Sequence, residues 1–160
     1  MHISVNAVQS PADLEAVREL FREYADGLGI DLTFQGFEAE LAHLPGKYAR
    51  PGGGLLLARA ETDEPAGCVG LRPLDLPGAC EVKRLYVRSA ARGTGLGRIL
   101  MASVIELAAA SGYREVMLDT LPSMTAAIAL YGALGFQQIP PYWNSIVPGT
   151  LYFWKRLLPG

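Results

Sequence analysis

The sequence predicts an α/β fold of the mixed α+β kind, in which one mixed sheet of seven strands carries helices on both faces. Two observations support it. Seven short segments have the apolar or alternating composition of strands, and four have apolar residues at helical spacing, in the order β-α-α-β-β-β-α-β-α-β-β. The 160 residues contain no internal repeat and no long linker, so we expect one domain over residues 1–160.

The N-terminal half is predicted to contain a strand, two helices and two more strands. Residues Ile3 to Val8 alternate apolar and polar side chains, which is the pattern of a half-buried strand. Ser10 and Pro11 have the form of a helix N-cap followed by a proline in the first turn. The other predicted elements are a helix closed by Gly27 and Gly29, a short helix with Phe37, Leu41 and Leu44, and strands Leu55 to Ala60 and Ala66 to Leu71.

The C-terminal half is predicted to supply four strands and two helices. A strand from Ala79 to Val87 leads through a glycine-containing loop into a helix, and Gly112 marks the end of that helix. Ser123 has a typical N-cap side chain and predicts the start of the last helix. The other predicted elements are a helix from about Gly95 to Ser111, a strand from Glu115 to Asp119, a helix ending at Leu134, and strands Phe136 to Ile139 and Thr150 to Arg156.

Composition and charge exclude several classes of protein. The formal net charge of −2 argues against a broad nucleic-acid-binding surface. No apolar run approaches the roughly 20 residues that span a bilayer, and the N-terminus lacks a signal-peptide pattern, so we expect a cytoplasmic protein that binds neither nucleic acid nor membrane. Cys68 and Cys80 lie in strand-like segments and predict reduced, buried thiols. Without a CxxC or a paired histidine motif, no metal site is indicated.

A glycine-rich loop, Arg92-Gly93-Thr94-Gly95-Leu96-Gly97, joins a strand to the next helix. Glycines let a backbone approach a ligand closely, and a helix N-terminus carries a partial positive charge. The loop therefore suits a phosphate or pyrophosphate, with charge-assisted contacts from Arg92 and Arg98. A tight turn without a ligand is the alternative. The spacing fits neither a dinucleotide-binding G-x-G-x-x-G, because position 98 is arginine, nor a Walker A loop, which requires Gly-Lys-Ser/Thr.

Two segments of the chain resemble those of the GNAT acyltransferase superfamily. The glycine-rich loop is similar to its R/Q-x-x-G-x-G/A pyrophosphate loop, and the strand ending Arg84-Leu85-Tyr86-Val87 resembles the strand that precedes that loop. Residues 127–136 (AIALYGALGF) are similar to the family's A-x-x-L-Y-x-x-x-G-F segment. The resemblance implies a mostly antiparallel sheet of about seven strands, flanked by four helices and splayed between the fourth and fifth strands.

The resemblance also implies an N-acetyltransferase that uses acetyl-CoA as acyl donor and no metal. Backbone groups of Leu85 and Val87 would pair with the pantetheine arm, and the loop amides would hold the pyrophosphate. The implied cofactor-binding residues are Leu85, Tyr86, Val87, Arg92, Gly93, Thr94, Gly95, Leu96, Gly97 and Arg98. One position departs from the family pattern: where many members have a cofactor-binding asparagine, this chain has Met124, and Ser123 or Thr125 is the expected substitute.

Tyr131 and Glu81 are the two residues that the resemblance implies in catalysis. Tyr131 falls where many members have the tyrosine that protonates the departing thiolate, and a tyrosine with a pKa near 10 keeps its proton at neutral pH. Glu81 falls where several members have a general-base glutamate, which takes a proton from the acceptor amine directly or through a water. The alternatives are a core aromatic for Tyr131 and, for Glu81, an ion pair with Lys83 or Arg84.

The implied reaction is direct transfer in a ternary complex, with the Val87 N–H or a neighbouring strand amide polarising the carbonyl. A covalent route through Cys80 is disfavoured. Alternation along the strand places Cys80 and Glu81 on opposite faces, and the sequence offers no histidine partner.

The acceptor is expected to be a primary amine on a small molecule. In the GNAT fold the first two helices and the turn between the last two strands shape the acceptor site, and in this chain both contain aromatic residues. The candidate substrate-binding residues are Tyr24, Phe34, Arg72 and Tyr142, with Arg72 as a receptor for a carboxylate. A non-catalytic acyl-CoA-binding module and a peptide or protein N-acetyltransferase remain alternatives. A homodimer through Leu151 to Leu158 is also left open.

Overall fold

The computed structural model describes residues 2–29, 36–145 and 147–157. Within them lie seven strands and four α-helices in the predicted order. The strands are β1 Ile3–Ala7, β2 Gly54–Ala60, β3 Pro65–Pro73, β4 Ala79–Val87, β5 Glu115–Thr120, β6 Gln137–Ile139 and β7 Leu151–Arg156. The helices are α1 Pro11–Leu28, α2 Phe37–Ala42, α3 Leu96–Ala110 and α4 Thr125–Ala133. Two short 3₁₀ helices cover Gly46–Tyr48 and Ser89–Ala91.

The ends of α1 follow the sequence signals, whereas the start of α4 does not. The Ser10 hydroxyl caps α1 by accepting from the Asp13 N–H at 3.1 Å, and Gly29 ends it in the left-handed conformation, at φ 67°. The prediction of Ser123 as the N-cap of α4 is wrong. Met124 occupies that position and its side chain makes no capping bond, because a turn from Leu121 to Met124 leads the chain into the helix.

The seven strands form one sheet in the order β1-β2-β3-β4-β5-β7-β6. All neighbouring pairs are antiparallel except β4 and β5, which are parallel. Among the described residues β4 pairs with β5 over three positions, the last of which joins Glu81 to Met117. Both strands then continue without pairing to each other, β4 to Val87 and β5 to Thr120. The expected mostly antiparallel sheet and its splay between the fourth and fifth strands are confirmed.

Apolar side chains fill a core on each face of the sheet. One core lies under α1 and α2, and the other lies under α3 and α4. Alternation along the strands divides their side chains between these two cores. In β5 the side chains of Val116 and Leu118 enter the α3 core, so Met117 and Asp119 face the side of α1 and α2. No helix within the described residues is long and apolar enough to cross a membrane.

A β-bulge interrupts β4 near its centre. The register pairs Cys68 with Tyr86 but Gly70 with Lys83, so β4 carries one extra residue at this point. Arg84 occupies the bulge with φ 61°, in the left-handed region that side chains other than glycine seldom adopt. The bulge turns the Arg84 side chain toward α2 and aims the following residues of β4 along the splayed gap.

Candidate active site

The unpaired part of β4 presents its backbone to the gap beside β5. The Arg88 N–H donates to the Ala66 carbonyl of β3 at 2.9 Å. Because successive N–H groups of a strand point in opposite directions, the Val87 N–H points away from β3 and into the gap. The Val87 carbonyl accepts from Arg92 Nε at 3.1 Å. A free strand edge therefore lies next to the glycine-rich loop.

The glycine-rich loop offers a row of unpaired amide donors. Gly93 and Gly95 both have φ 82°, and a side chain at either position would meet no atom within 4 Å, so the space before the backbone is open. The first bond of α3 runs from Ile99 N–H to the Gly95 carbonyl. Among the described residues no backbone hydrogen bond is donated by the amides from Gly93 to Arg98. These amides and the N-terminus of α3 form a cradle for an anion.

The arginines near this cradle differ in whether their side chains are exposed or form ion pairs. Arg92 and Arg98 have exposed side chains next to the loop amides. Arg88, which the sequence did not single out, instead donates to Glu23 and Glu19 of α1. The Arg88 guanidinium holds the pKa of the Glu23 carboxyl below its usual range. Arg88 thus ties the end of β4 to α1, while Arg92 and Arg98 remain beside the cradle.

Tyr131 of α4 lies at the inner end of the gap. It packs against the rings of Phe136 and Phe153, with centroid distances of 5.8 and 6.0 Å. Burial raises the pKa of its hydroxyl above the ordinary tyrosine value. The hydroxyl has no hydrogen-bond partner among the described residues, and Tyr131 lines a cavity that also contains Asp119. The position therefore holds a protonated phenol that faces the gap.

The cavity of Tyr131 and Asp119, called the inner cavity below, also contains the position where many family members have an asparagine and this chain has Met124. Met124 lines the cavity, and its thioether offers no strong hydrogen bond. Ser123 and Thr125, the expected substitutes, both have exposed side chains. Thr120 lines the same cavity, and its buried hydroxyl has no partner among the described residues. The Thr120 hydroxyl is therefore an unpaired polar group among the described residues that line this cavity together with Met124.

Glu81 is almost completely buried, with 1% of its surface exposed. Its Oε1 accepts from Arg72 Nε at 2.9 Å, and its Oε2 accepts from the Tyr142 hydroxyl at 2.5 Å. The alternative pairing of Glu81 with Lys83 or Arg84 is not the one that forms, because Lys83 contacts Asp119 and Arg84 contacts Glu40. Arg72 lies directly opposite Glu81 in the β3–β4 pair, and cross-strand neighbours are within easy reach of each other.

The sequence-predicted substrate residues are distributed as follows. Arg72 and Tyr142 come together on Glu81, and they line an outer cavity of about 420 Å³ with it. Tyr24 lies on α1, lines the inner cavity, and packs edge-on against Tyr86 with a centroid distance of 6.4 Å. Phe34 lies outside the described residues.

Lys83, Asp119 and Trp143 were not selected from the sequence, yet they join the two cavities. Lys83 Nζ lies 3.4 Å from Asp119 Oδ1, and Trp143 Nε1 donates to Asp119 Oδ2 at 2.6 Å. Lys83 and Trp143 line both the inner cavity of Tyr131 and the outer cavity of Glu81. For Lys83 and Asp119 the available sequence signal was a charged residue inside a predicted strand.

The cysteine alternative receives no support from the structure. Cys80 lies in the core under α3, on the opposite face from Glu81. Burial raises the pKa of its thiol to about 12, so it carries almost no thiolate at neutral pH. The described residues contain no cluster of three or more His, Cys, Asp or Glu side chains that could hold a metal ion.

The sequence matches the profile of the acetyltransferase (GNAT) family over residues 14–136. The chain belongs to the GNAT family. One relative is an uncharacterized N-acetyltransferase of Schizosaccharomyces pombe, which is 41% identical over 151 residues that cover 94% of this chain and 93% of the relative. An uncharacterized N-acetyltransferase of Escherichia coli is 32% identical over 132 residues, or 81% of this chain and 77% of the relative.

Solved GNAT structures share the fold. The crystal structure of a GNAT-family acetyltransferase from Staphylococcus aureus has a TM-score of 0.81 to this chain, with 21% identity and coverage of 98% of this chain and 100% of that one. The protein is thus an enzyme of the GNAT N-acetyltransferase class.

Proposed function

We propose that this GNAT enzyme transfers the acetyl group of acetyl-CoA to the primary amine of a small molecule in a ternary complex. The observation that carries the proposal is the continuity of three features. The free amides of the loop from Gly93 to Arg98 adjoin the unpaired edge of β4, and that edge leads to the cavity of Tyr131. A diphosphate, an amide-containing arm and a thiol follow one another in the same order along CoA.

The chain's own groups fit this cosubstrate. The cradle amides and the exposed side chains of Arg92 and Arg98 suit a pyrophosphate. Leu85 and Val87 would hold the pantetheine arm by backbone pairing, while the side chain of Tyr86 turns away to donate to Glu23. When bound, acetyl-CoA supplies the acetyl group as a thioester and leaves as the thiol.

Tyr131 is our candidate for the general acid. Its raised pKa keeps the hydroxyl protonated, and a protonated phenol can give its proton to a departing thiolate. The hydroxyl is not committed to another described group. The aromatic packing of Phe136 and Phe153 fixes the ring, so Tyr131 combines the core role with the chemical one.

Glu81 is our candidate for the general base. An amine is mostly protonated near neutral pH and has to lose a proton before it attacks. Arg72 and Tyr142 each donate to the Glu81 carboxylate, which fixes its orientation while leaving acceptor capacity on Oε2. Glu81 lines the outer cavity and Tyr131 lines the inner one. The amine proton would reach Glu81 directly or through a water.

The covering of the site favours a compact acceptor over a peptide. Tyr142 and Trp143 follow β6 and reach across the sheet to hydrogen-bond Glu81 and Asp119. This segment closes over the place where a peptide chain would otherwise lie. The Val87 N–H, directed into the gap, is our candidate donor to the acyl oxygen.

The test is thiol release from acetyl-CoA, measured with amines, amino acids and N-terminal peptides offered separately. Release that depends on a small amine supports the proposal. Release that depends only on peptides overturns the small-molecule acceptor. A protein that binds acetyl-CoA but releases no thiol with any amine would instead be a binding module or would require another acyl donor.

A further inference from the structure

Three ion pairs lie on the face of the sheet that contains the outer and inner cavities, and they differ in the number and length of their contacts. The pairs are Arg72–Glu81, Arg84–Glu40 and Lys83–Asp119. In the first two, two nitrogens of the arginine lie 2.8–3.2 Å from the carboxylate oxygens. Lys83 and Asp119 make a single contact of 3.4 Å. This pair is the most easily opened of the three.

Lys83 is a buried ammonium whose hydrogen bonds are incomplete. Its side chain is 5% exposed, and that of Asp119 is 12% exposed. An ammonium has three N–H donors, and among the described residues Lys83 has one acceptor, Asp119. Its other close neighbour is the Trp143 ring, 5.8 Å from Nζ. A buried charge with unused donors is costly, so a ligand oxygen at Lys83 would recover that cost.

We propose that Lys83 binds the carboxylate of an acceptor that carries both an amine and a carboxylate, and that Asp119 receives its ammonium group. The inference rests on the proposed acetyl transfer and names the class of its acceptor. The acceptor would open the long Lys83–Asp119 contact and replace it with two contacts of better geometry. Lys83 lines both cavities, so a carboxylate in the outer cavity and an amine in the inner one can be held together.

Charge balance favours this class over other amines. Each of these three cations has an anion as partner, so the three pairs together carry no net charge. A zwitterion adds no net charge to it. A diamine would add positive charge beside Lys83, and a simple monoamine would take Asp119 and leave the Lys83 ammonium buried without its partner. Glu81, in the adjoining outer cavity, would then accept the proton from the docked ammonium.

The first measurement compares each of a panel of L-amino acids with its own primary amide, using the wild-type enzyme and acetyl-CoA. The amide has the same side chain and amine but no carboxylate. Its α-ammonium is the more acidic of the two, so the amide presents more free amine near pH 8. A preference for the free acid must therefore come from the enzyme. We expect kcat/KM to be at least tenfold higher for the acid than for the amide of the best acceptor.

The second measurement repeats the comparison with Lys83→Met, which keeps the length of the side chain and removes its charge. We expect the acid-to-amide ratio to fall to within about threefold, while activity toward the amide changes much less. Lys155→Met is the matched control, because Lys155 lies on β7 outside both cavities. It should keep the wild-type ratio. Acetyl-CoA affinity and the thermal unfolding midpoint check that Lys83→Met is folded.

The outcomes separate this inference from the proposed function. Equal transfer to acids and amides by the wild-type enzyme overturns the inference and leaves acetyl transfer standing. A wild-type preference that survives in Lys83→Met overturns the role of Lys83. Failure of the wild-type protein to bind acetyl-CoA overturns the proposed function, and the inference with it. If Lys83→Met does not fold, the wild-type comparison alone decides whether the acceptor requires a carboxylate.

Discussion

Arg72 of β3 and Glu81 of β4 lie directly opposite each other, and two nitrogens of the Arg72 guanidinium contact Glu81 Oε1 at 2.8 and 2.9 Å. The sequence predicted both residues as members of the site, with Glu81 as the general base and Arg72 as a receptor for a substrate carboxylate. The structure makes them one unit, completed by the Tyr142 hydroxyl on Oε2. The carboxylate proposed as base is therefore held from two sides, and the arginine proposed to bind substrate also positions that base.

Glu81→Gln is expected to lower kcat/KM at least a hundredfold near pH 7, with acetyl-CoA affinity unchanged. The amide keeps the shape of the side chain but cannot accept the amine proton, and general-base catalysis contributes about 10²–10⁴-fold. The deficit should shrink as pH rises toward the pKa of the acceptor amine, because more of the amine is then already free. Steady-state kinetics from pH 6.5 to 9.5 measure this.

Glu61→Gln is the control for that change, because Glu61 is an exposed residue in the turn between β2 and β3. It should have wild-type kinetics at every pH. A Glu81→Gln enzyme whose deficit is constant across the pH range would show that Glu81 acts by charge or position and not by accepting the proton.

Tyr131→Phe is expected to lower turnover at least tenfold while acetyl-CoA binds as before, because the variant loses the proton donor and keeps the ring. Burial raises the pKa of Tyr131, so its hydroxyl stays protonated through pH 10. The wild-type rate should then show no alkaline decline caused by this group. Because burial disfavours the ionised phenol, the folded protein is expected to lose stability as pH rises above the unfolded tyrosine pKa of about 10.

Tyr113→Phe provides the matched control for Tyr131→Phe. The Tyr113 hydroxyl donates to the Gly52 carbonyl, away from both cavities. It should leave turnover within about twofold of the wild-type rate. Unchanged turnover in Tyr131→Phe would remove Tyr131 from the acid role.

Thr120→Val is expected to change stability and acetyl-CoA affinity in opposite directions. The buried hydroxyl has no partner among the described residues, and an unsatisfied buried group costs about 1–3 kcal/mol. Replacing it with a methyl group should raise the free energy of unfolding of the free protein by about 1 kcal/mol. If the cosubstrate satisfies the hydroxyl, the dissociation constant for acetyl-CoA should rise about three- to tenfold.

Urea unfolding without ligand and calorimetric titration with acetyl-CoA measure the two effects on the same protein. Thr125→Val is the control, because that side chain is exposed at the first turn of α4. It tests one of the two residues first expected to replace the missing asparagine. Unchanged affinity in Thr120→Val, together with the gain in stability, would mean that the cosubstrate makes no contact with this hydroxyl.

The elements of the fold could be predicted from the sequence because their signals are local. The spacing of apolar residues and the residues at the helix ends predict α1 and α3, and the glycines of the loop predict the anion cradle. The bulge at Arg84 has no such signal, since its φ of 61° lies in a segment with ordinary strand composition. Its effect is to turn Arg84 toward α2, where it pairs with Glu40.

The charged contacts of the site depend on register and could not be predicted. Lys83 and Asp119 are 36 residues apart in the chain, on strands that come together across α3. The pairing of Arg72 with Glu81 follows from the β3–β4 register, which the sequence does not specify residue by residue. The lack of a partner for the Thr120 hydroxyl depends on everything packed around it. Local patterns therefore predicted the backbone part of the site better than its side-chain network.

Gly95→Glu is expected to abolish acetyl-CoA binding. The space beside Gly95 is open and lies next to the loop amides, so we expect a glutamate there to enter the cradle and place a negative charge against the phosphates. The substitution also forces a side chain into the left-handed region, at φ 82°, which costs about 1–2 kcal/mol. Loss of stability alone could therefore imitate loss of binding.

Gly112→Glu separates the two effects, because Gly112 follows the other end of the same helix with φ 90° and equally open space. It carries the same backbone strain and the same added charge but lies away from the cradle. We expect both variants to unfold at similar urea concentrations and only Gly112→Glu to bind acetyl-CoA in a calorimetric titration. Binding by both would exclude the loop as the pyrophosphate site, since the charge at position 95 would then face no phosphate.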